Sequence, residues 1–188
     1  FVIAGSIKGH RATILRMLED MELPNGNGRI PLPVEVPVKQ EKALYLRNPS
    51  VKNLYFIVDT FHLERLDEPQ WDAGQLINTM LTETLYSKIL GAARERGLVY
   101  SMSSGFNQLA DNVSWWFGAQ IMPSNTKPLF QIMIDEISKV RAGDIDETDI
   151  EAAKQYMLGR YQRAGQTVAG TAAGYTNRYF FEDFVDDY

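Results

Sequence analysis

The sequence contains no cysteine and only two histidines, His10 and His62, among its 188 residues. The lack of cysteine excludes disulfides, cysteine-ligated zinc and thiol nucleophiles. Neither a His-Glu-x-x-His nor a His-x-x-Glu-His motif is present, so the chain lacks the paired histidines that a helix presents to a catalytic zinc. We expect His62 to be an exposed loop residue and His10 to be solvated or to cap the first helix. We therefore expect no metal and no other cofactor in this chain.

Clusters of positive charge and long apolar runs are also missing. The net charge is -5, from 19 Lys and Arg against 24 Asp and Glu. Phosphate binding needs clustered positive charge, so nucleic acid is not expected as a partner. No stretch approaches the roughly 18 consecutive apolar residues of a transmembrane helix. The hydrophobic fraction of 45% and the charged fraction of 23% favour a folded globular chain over a disordered one.

The first third of the chain alternates apolar runs with turn residues. Strands are predicted over residues 1–4, 42–47 and 53–60, and the last is nearly all apolar, which predicts a central place in its sheet. A helix is predicted over residues 7–20, and the proline-containing stretch 23–37 is predicted to be an ordered loop. Because the chain opens within an apolar, strand-like run, we expect it to be part of a longer protein.

Helical periodicity dominates the rest of the sequence. Residues 70–94 place apolar side chains at the helical period and are predicted to form one long helix. Strands over 99–103 and 113–122 form a predicted hairpin. Three further helices are predicted over residues 126–142, 147–163 and 167–183. This order predicts an α+β fold, a two-layer sandwich of a largely antiparallel sheet packed by helices, in a single domain over residues 1–188.

Two other patterns are better explained by ordinary structure than by a ligand site. The acidic run 144–151 lacks the Gly and Glu spacing of an EF-hand loop, and acidic residues at a helix start interact favourably with its dipole. Asp146 is accordingly predicted to cap a helix. Trp115 and Trp116 are neighbours on a strand and must point to opposite faces, which predicts one ring in the core and one at a domain interface.

The segment 87–101 carries the most specific chemistry. It ends a helix with basic residues and then starts a strand, so Arg94 and Tyr100 lie on either side of one tight turn. Arg has only N–H donors, and a Tyr hydroxyl can donate at neutral pH. Two such groups suit a peptide carbonyl, and better the oxyanion that forms when the carbonyl is attacked. In the alternative interpretation, Arg94 complements the helix C-terminus and Tyr100 packs in the sheet.

The same segment carries a resemblance to a known family. Arg94-Glu95 with the run Gly-Leu-Val-Tyr-Ser over residues 97–101 resembles the Arg-Glu, Gly-Leu, Tyr-Ser signature of the pitrilysin, insulinase and mitochondrial processing peptidase group of zinc proteases. The match is to their second, zinc-free domain, and it extends from the opening residues 1–5 to the helix start at 146–154. Two features depart from the family pattern. The turn between Arg94 and Gly97 is one residue shorter, and Ser6 stands where Asp is common.

The resemblance implies a protein that handles substrate for a zinc held elsewhere. In the family, two similarly folded α+β domains enclose a chamber, and the first carries an inverted His-x-x-Glu-His zinc motif. The second contributes an Arg and a Tyr that hold the substrate backbone or its tetrahedral intermediate, here Arg94 and Tyr100. We therefore expect the non-catalytic C-terminal domain of a zinc metalloendopeptidase that acts on unfolded peptides. We expect it to be inactive alone.

The resemblance also implies partners. They are an N-terminal zinc-binding domain or a homologous subunit, which includes a second copy of this chain, and a peptide substrate. One alternative is an inactive scaffold or partner subunit of the same fold, because some family members have lost catalysis. Another is an unrelated α+β domain that binds a small molecule as a monomer.

Overall fold

The structure is a computed structural model that describes residues 1–26, 41–60, 63–108 and 112–182. The chain divides into two compact units, a smaller one of residues 1–35 with 160–188 and a larger one of residues 36–159. Most of the predicted loop 23–37 lies outside the described residues, and so does His62. The sheet and the site described below belong to the larger unit.

The smaller unit contains helix α1 (Arg11–Glu19) and helix α6 (Val168–Glu182), close to two of the predicted helices. His10 is exposed and directly precedes α1, but its side chain makes no capping hydrogen bond. The solvated interpretation of His10 is therefore confirmed, and the capping one is wrong. Residues 1–4 form no strand, and Phe1 is 83% exposed. A short apolar run becomes a strand only when a neighbouring strand satisfies its backbone.

The larger unit contains an antiparallel sheet centred on its last strand. The strands are β1 (Leu54–Asp59), β2 (Leu63–Glu64), β3 (Met102–Gln108) and β4 (Asn112–Ile121). Along one edge of β4, Leu54 pairs with Ile121 at one end of β1, and β2 pairs further along. Strand β3 pairs along the other edge of β4, where Met102 of β3 lies opposite Ala119 of β4. The predicted hairpin is confirmed, and every pair is antiparallel.

Among the strands that the structure describes, β1 lies at the edge of the sheet and not at the centre as its apolar sequence predicts. Residues 42–47 form no strand, so among the described residues nothing pairs with the outer edge of β1. The side chain of Ile57 is 77% exposed and that of Tyr55 is 65% exposed. A continuous apolar run is compatible with either a central or an edge position, because strand preference reflects packing against neighbours more than an intrinsic property of the backbone.

Three helices that begin in the larger unit have a recognisable signal at one of their ends. Helix α2 (Glu68–Asn78) begins with a capping box. The Asp67 carboxylate accepts from the backbone N–H of Gln70 at 2.9 Å, and the side-chain carbonyl of Gln70 accepts from the backbone N–H of Asp67 at 3.1 Å. Helix α4 (Thr126–Ala142) ends at Gly143, whose φ of +73° favours glycine. Helix α5 (Glu147–Ala164) follows the predicted cap. Its start confirms that cap, because the Asp146 carboxylate accepts from the Thr148 amide at 2.8 Å.

The predicted long helix 70–94 is interrupted. After α2 the chain forms a short π-helical turn (Thr79–Glu83), and helix α3 (Leu90–Glu95) follows. The amide of Lys88 donates to the carbonyl of Met80 at 2.9 Å, so residues 84–87 are looped out of an otherwise continuous helical path. Gly91 permits this loop, since a Cβ there would lie 2.8 Å from the carbonyl oxygen of Leu85. We call residues 84–87 the looped-out segment.

The core lies between one face of the sheet and helices α3 and α4. Phe56 of β1 contacts Phe130 of α4, with 5.0 Å between ring centres. Trp115 lies on the core face beside Phe117, at 4.7 Å, whereas Trp116 lies on the opposite face close to Gly105. The buried members of this core are Leu81, Ile89, Leu90, Ala93, Val99, Met102, Phe117, Ile121, Leu129, Ile132 and Met133. Helices on a sheet of antiparallel strands confirm the predicted α+β class.

None of the helices in the described ranges is both long and apolar enough to cross a membrane.

Candidate functional site

The bend from α3 into β3 is a compact, well-defined turn. Helix α3 ends where Gly97 adopts a φ of +64°, the left-handed conformation that commonly ends a helix. The amide of Leu98 then donates to the carbonyl of Ala93 at 2.8 Å, which ties the turn back to the helix. Val99 is buried in the core. The chain therefore reverses sharply between Arg94 and the first residues of β3.

Arg94 and Tyr100 come together at this bend. The guanidinium of Arg94 donates through Nη1 to the carbonyl oxygen of Tyr100, and its central carbon lies 5.3 Å from the centre of the Tyr100 ring. Both side chains are exposed, Tyr100 at 84%. The alternative in which Tyr100 packs in the sheet is therefore wrong, and the shorter turn leaves the two side chains in contact.

The pair presents hydrogen-bond donors on the protein surface. The ring face attracts the guanidinium through a cation–π interaction, which restricts where the charged group lies. The Tyr100 carbonyl accepts one of the N–H groups of Arg94, and a guanidinium carries several. The phenol hydroxyl is at the end of an exposed ring. Such a pair can donate to a carbonyl oxygen and interact more strongly when that oxygen becomes negative.

Sequence reasoning missed Asn125 as a neighbour of this bend. Its side-chain amide donates through Nδ2 to the carbonyl oxygen of Leu98 at 2.9 Å. The residue directly precedes α4, a position at which an Asn normally indicates a helix cap. No signal in the sequence could have connected Asn125 with a bend that lies 27 residues earlier.

A buried polar cluster also escaped sequence reasoning. Asn78 is fully buried, and its Oδ1 accepts from Ser104 Oγ at 2.7 Å and from Trp115 Nε1 at 2.9 Å. Its Nδ2 donates to Glu83 at 3.1 Å. Buried polar atoms that are all hydrogen-bonded fix one arrangement of the surrounding groups. Asn78 therefore ties the π-helical turn to the sheet.

A cavity of about 480 Å³ lies beside the looped-out segment, between α3 and α4. An ion pair of 2.5 Å joins Lys88 to Asp149 at its rim, and Lys139 pairs with Glu136 at 2.7 Å. Neither Arg94 nor Tyr100 is among the residues that line it. The cavity is thus separate from the candidate site at the bend.

Two charged groups near this cavity have shifted titration. The hydrogen bond from Lys139 to Glu136 raises the pKa of Lys139. The backbone amide of Thr148, which donates to Asp146, lowers the pKa of the Asp146 carboxyl. The capping contribution of Asp146 to stability is therefore present above the ordinary Asp pKa and is lost as the pH falls through the lowered value. Asp146 thus caps the start of α5, and Lys139 pairs with Glu136 within α4.

Metal ligands do not cluster in the described ranges. No group of three or more His, Asp or Glu side chains there is placed to hold a metal ion. Zinc would need such a group, since its protein ligands are Cys, His and carboxylates and the chain has no cysteine.

The fold and the bend define the chain as a helix-packed α+β domain with an exposed Arg–Tyr pair. A family profile described as the peptidase M16 inactive domain matches residues 1–157. The chain therefore belongs to the peptidase M16 inactive-domain family, which confirms the resemblance seen in the sequence. No curated protein sequence matches the chain.

Solved structures share the fold. A protease from Helicobacter pylori matches with a TM-score of 0.76 at 16% identity, over 96% of this chain and 44% of that one. A peptidase M16 inactive domain from Pseudomonas fluorescens matches with a TM-score of 0.58 at 18% identity, over 68% of this chain and 31% of that one. A chain of complex III2 from Candida albicans, with Inz-5 bound, matches with a TM-score of 0.62 at 14% identity, over 76% of this chain and 36% of that one. This chain spans less than half the length of each.

Proposed function

We propose that this chain is the substrate-side, zinc-free domain of a longer zinc metalloendopeptidase that acts on unfolded peptides. The observation that carries the proposal is the contact between Arg94 and Tyr100, two exposed donors at one bend, in a chain of the M16 inactive-domain family. The match to a protease from Helicobacter pylori supports it.

Arg94 and Tyr100 would act on the substrate backbone. An extended peptide has carbonyl oxygens that lack intramolecular partners, and the guanidinium and the phenol can each donate to one. When zinc in a separate domain supplies an attacking water, the carbonyl oxygen gains negative charge. Donors that are already in place are worth most at that moment, because they need no reorganisation.

The open face of the sheet offers further contact area for a peptide. Helices α3 and α4 cover the face that carries Phe56. Strand geometry places Tyr55 and Ile57 on the other face, where both are exposed. An exposed apolar patch of this kind supports a role in binding another polypeptide.

The partner of this domain would be a zinc-binding domain of the same protein or a homologous subunit. No described group in this chain is placed to hold a metal, so the zinc, its ligands and the general base would belong to that partner. A homologous subunit could equally be a second copy of the chain.

The test is metal analysis together with a peptide-cleavage assay on the full-length protein and on residues 1–188 alone. We expect about one zinc per full-length chain and cleavage of an unstructured peptide. We expect neither zinc nor cleavage from residues 1–188. A full-length protein that binds no zinc and cleaves no peptide, alone or with its partner subunit, would refute the proposal.

The second candidate is a non-catalytic scaffold or partner subunit of the same fold. One observation favours it, because an N–H group of Arg94 is already used within the chain, where it donates to the carbonyl oxygen of Tyr100. The similarity to a chain of complex III2 also favours it. The coding sequence upstream of Phe1 separates the two candidates. A His-x-x-Glu-His motif about one domain before Phe1 supports the enzyme, and its absence supports the scaffold or a separately encoded zinc subunit.

A further inference from the structure

Asn125 occupies a capping position without capping its helix. It directly precedes α4, but its side chain makes no hydrogen bond to the first turn of that helix. Its φ of -88° and ψ of -5° are helical, whereas a capping residue usually has an extended backbone. Helix capping therefore does not explain why an Asn stands here.

The side chain of Asn125 is directed to the bend instead. Its Nδ2 donates to the carbonyl oxygen of Leu98 at 2.9 Å, in a partly buried contact. Its Oδ1 accepts from Ser124 Oγ at 3.3 Å, which favours the orientation with the amide nitrogen towards Leu98. The nitrogen of the Asn125 side-chain amide is thus the atom that contacts the bend, and it does so as a hydrogen-bond donor.

This contact completes the anchoring of the bend. The amide of Leu98 donates to Ala93 in α3, and the carbonyl of Leu98 accepts from Asn125 before α4. Val99 is buried, and Tyr100 is the next residue. The backbone that leads to Tyr100 is therefore fixed to two helices and to the core.

We propose that Asn125 is a positioning residue for the Arg94–Tyr100 pair. This inference rests on the proposed function for its effect on catalysis, but its structural part does not. In the described part of the chain, Asn125 makes no hydrogen bond to either side chain of the pair. It acts through its hydrogen bond to the Leu98 carbonyl, which holds the backbone that continues to Tyr100. The carbonyl of Tyr100 in turn accepts from Arg94.

The substitution Asn125→Asp separates positioning from capping. Aspartate caps helices as well as asparagine does, so a capping residue would tolerate the change. A carboxylate has no hydrogen to donate, and it would face the Leu98 carbonyl oxygen. Asn48→Asp is the matched control, because Asn48 Oδ1 accepts from the Ser50 amide at 3.0 Å and a carboxylate can accept in the same way.

The experiment is fluorine NMR of the full-length protein with fluorotyrosine at position 100. The Arg94→Ala protein provides the resonance of the ring without its guanidinium neighbour. We expect Asn125→Asp to move the resonance towards that reference and Asn48→Asp to leave it unchanged. A resonance that stays at its original position in a folded Asn125→Asp protein would overturn the inference.

Folding is checked by circular dichroism. If Asn125→Asp does not fold, the same measurement is made on Asn125→Ser. A serine hydroxyl can cap a helix, but the side chain is one atom shorter than that of asparagine and no longer reaches the Leu98 carbonyl. The expected outcome is the same displaced resonance, and an undisplaced one overturns the inference.

Cleavage kinetics provide a second readout. We expect kcat to fall about 10- to 100-fold in Asn125→Asp with little change in KM, because misplaced donors are missed mainly in the transition state. If Tyr100→Phe has no effect on cleavage, the proposed function fails. The NMR result would still report whether Asn125 positions the pair.

Discussion

Arg94 illustrates at the scale of single residues how a long, flexible side chain is held in place on a surface. Its guanidinium donates to the Tyr100 carbonyl and lies over the Tyr100 ring. An isolated exposed arginine samples many rotamers, and ordering it costs conformational entropy. Two contacts from one neighbour offset part of that cost. The charge is therefore available at a defined place while it remains exposed to solvent.

Under the proposed function, replacement of Arg94 by Ala weakens peptide cleavage by the full-length protein. We expect kcat/KM for an unstructured peptide to fall about 10-fold or more, because one charged donor to the developing oxyanion is lost. Arg96→Ala is the matched control, since Arg96 is an exposed arginine at the end of the same helix. Equal losses in the two variants would show that general surface charge, and not the pair, matters.

The π-helical turn and the looped-out segment show, at the scale of elements, how a helical pattern can mislead. Ile89 is buried and Leu85 is 60% exposed, although both fit the apolar period of one long helix. The helical path resumes after the looped-out segment in nearly the same phase, as the bond from Ile89 to Leu81 shows. Periodicity alone cannot detect such an insertion. Gly91 accompanies the insertion, because a Cβ there would lie 2.8 Å from the Leu85 carbonyl oxygen.

Asn78 should be essential to this arrangement. Asn78→Leu leaves the Trp115 indole N–H without its acceptor, and the Ser104 hydroxyl keeps only its contact with Thr82 Oγ1. We expect the free energy of unfolding to fall by about 2 kcal/mol or more, because buried donors without a partner are costly. Urea denaturation measures it. A loss within experimental error would contradict the role assigned to Asn78.

The capping box before α2 should contribute less to the free energy of unfolding than Asn78 does. Asp67→Ala removes the acceptor of the Gln70 amide and should lower the free energy of unfolding by about 1 kcal/mol. Asp67→Asn keeps an acceptor and should lose less. The same urea denaturation compares the two variants, and equal stability of the wild type and the Ala variant would contradict this role for the cap.

At the scale of the whole molecule, the sequence predicted the fold class, the hairpin and the later helices, because their caps and stop signals are local. Asp146 and Gly143 are such signals. The edge position of β1 and the role of Asn125 depend on contacts between distant segments. Arg94 and Tyr100 could be predicted because they are six positions apart, on either side of one turn. The function proposed for them requires a separate domain that carries zinc.

The most direct test of this account is the effect of Tyr100→Phe on peptide cleavage by the full-length protein. The substitution keeps the ring that lies beside Arg94 and removes only the hydroxyl donor. We predict a fall in kcat of about 10- to 1000-fold, the usual effect of losing one oxyanion donor, with zinc content unchanged. Turnover equal to that of the wild type would contradict the claim that this domain contacts the reacting carbonyl through Tyr100.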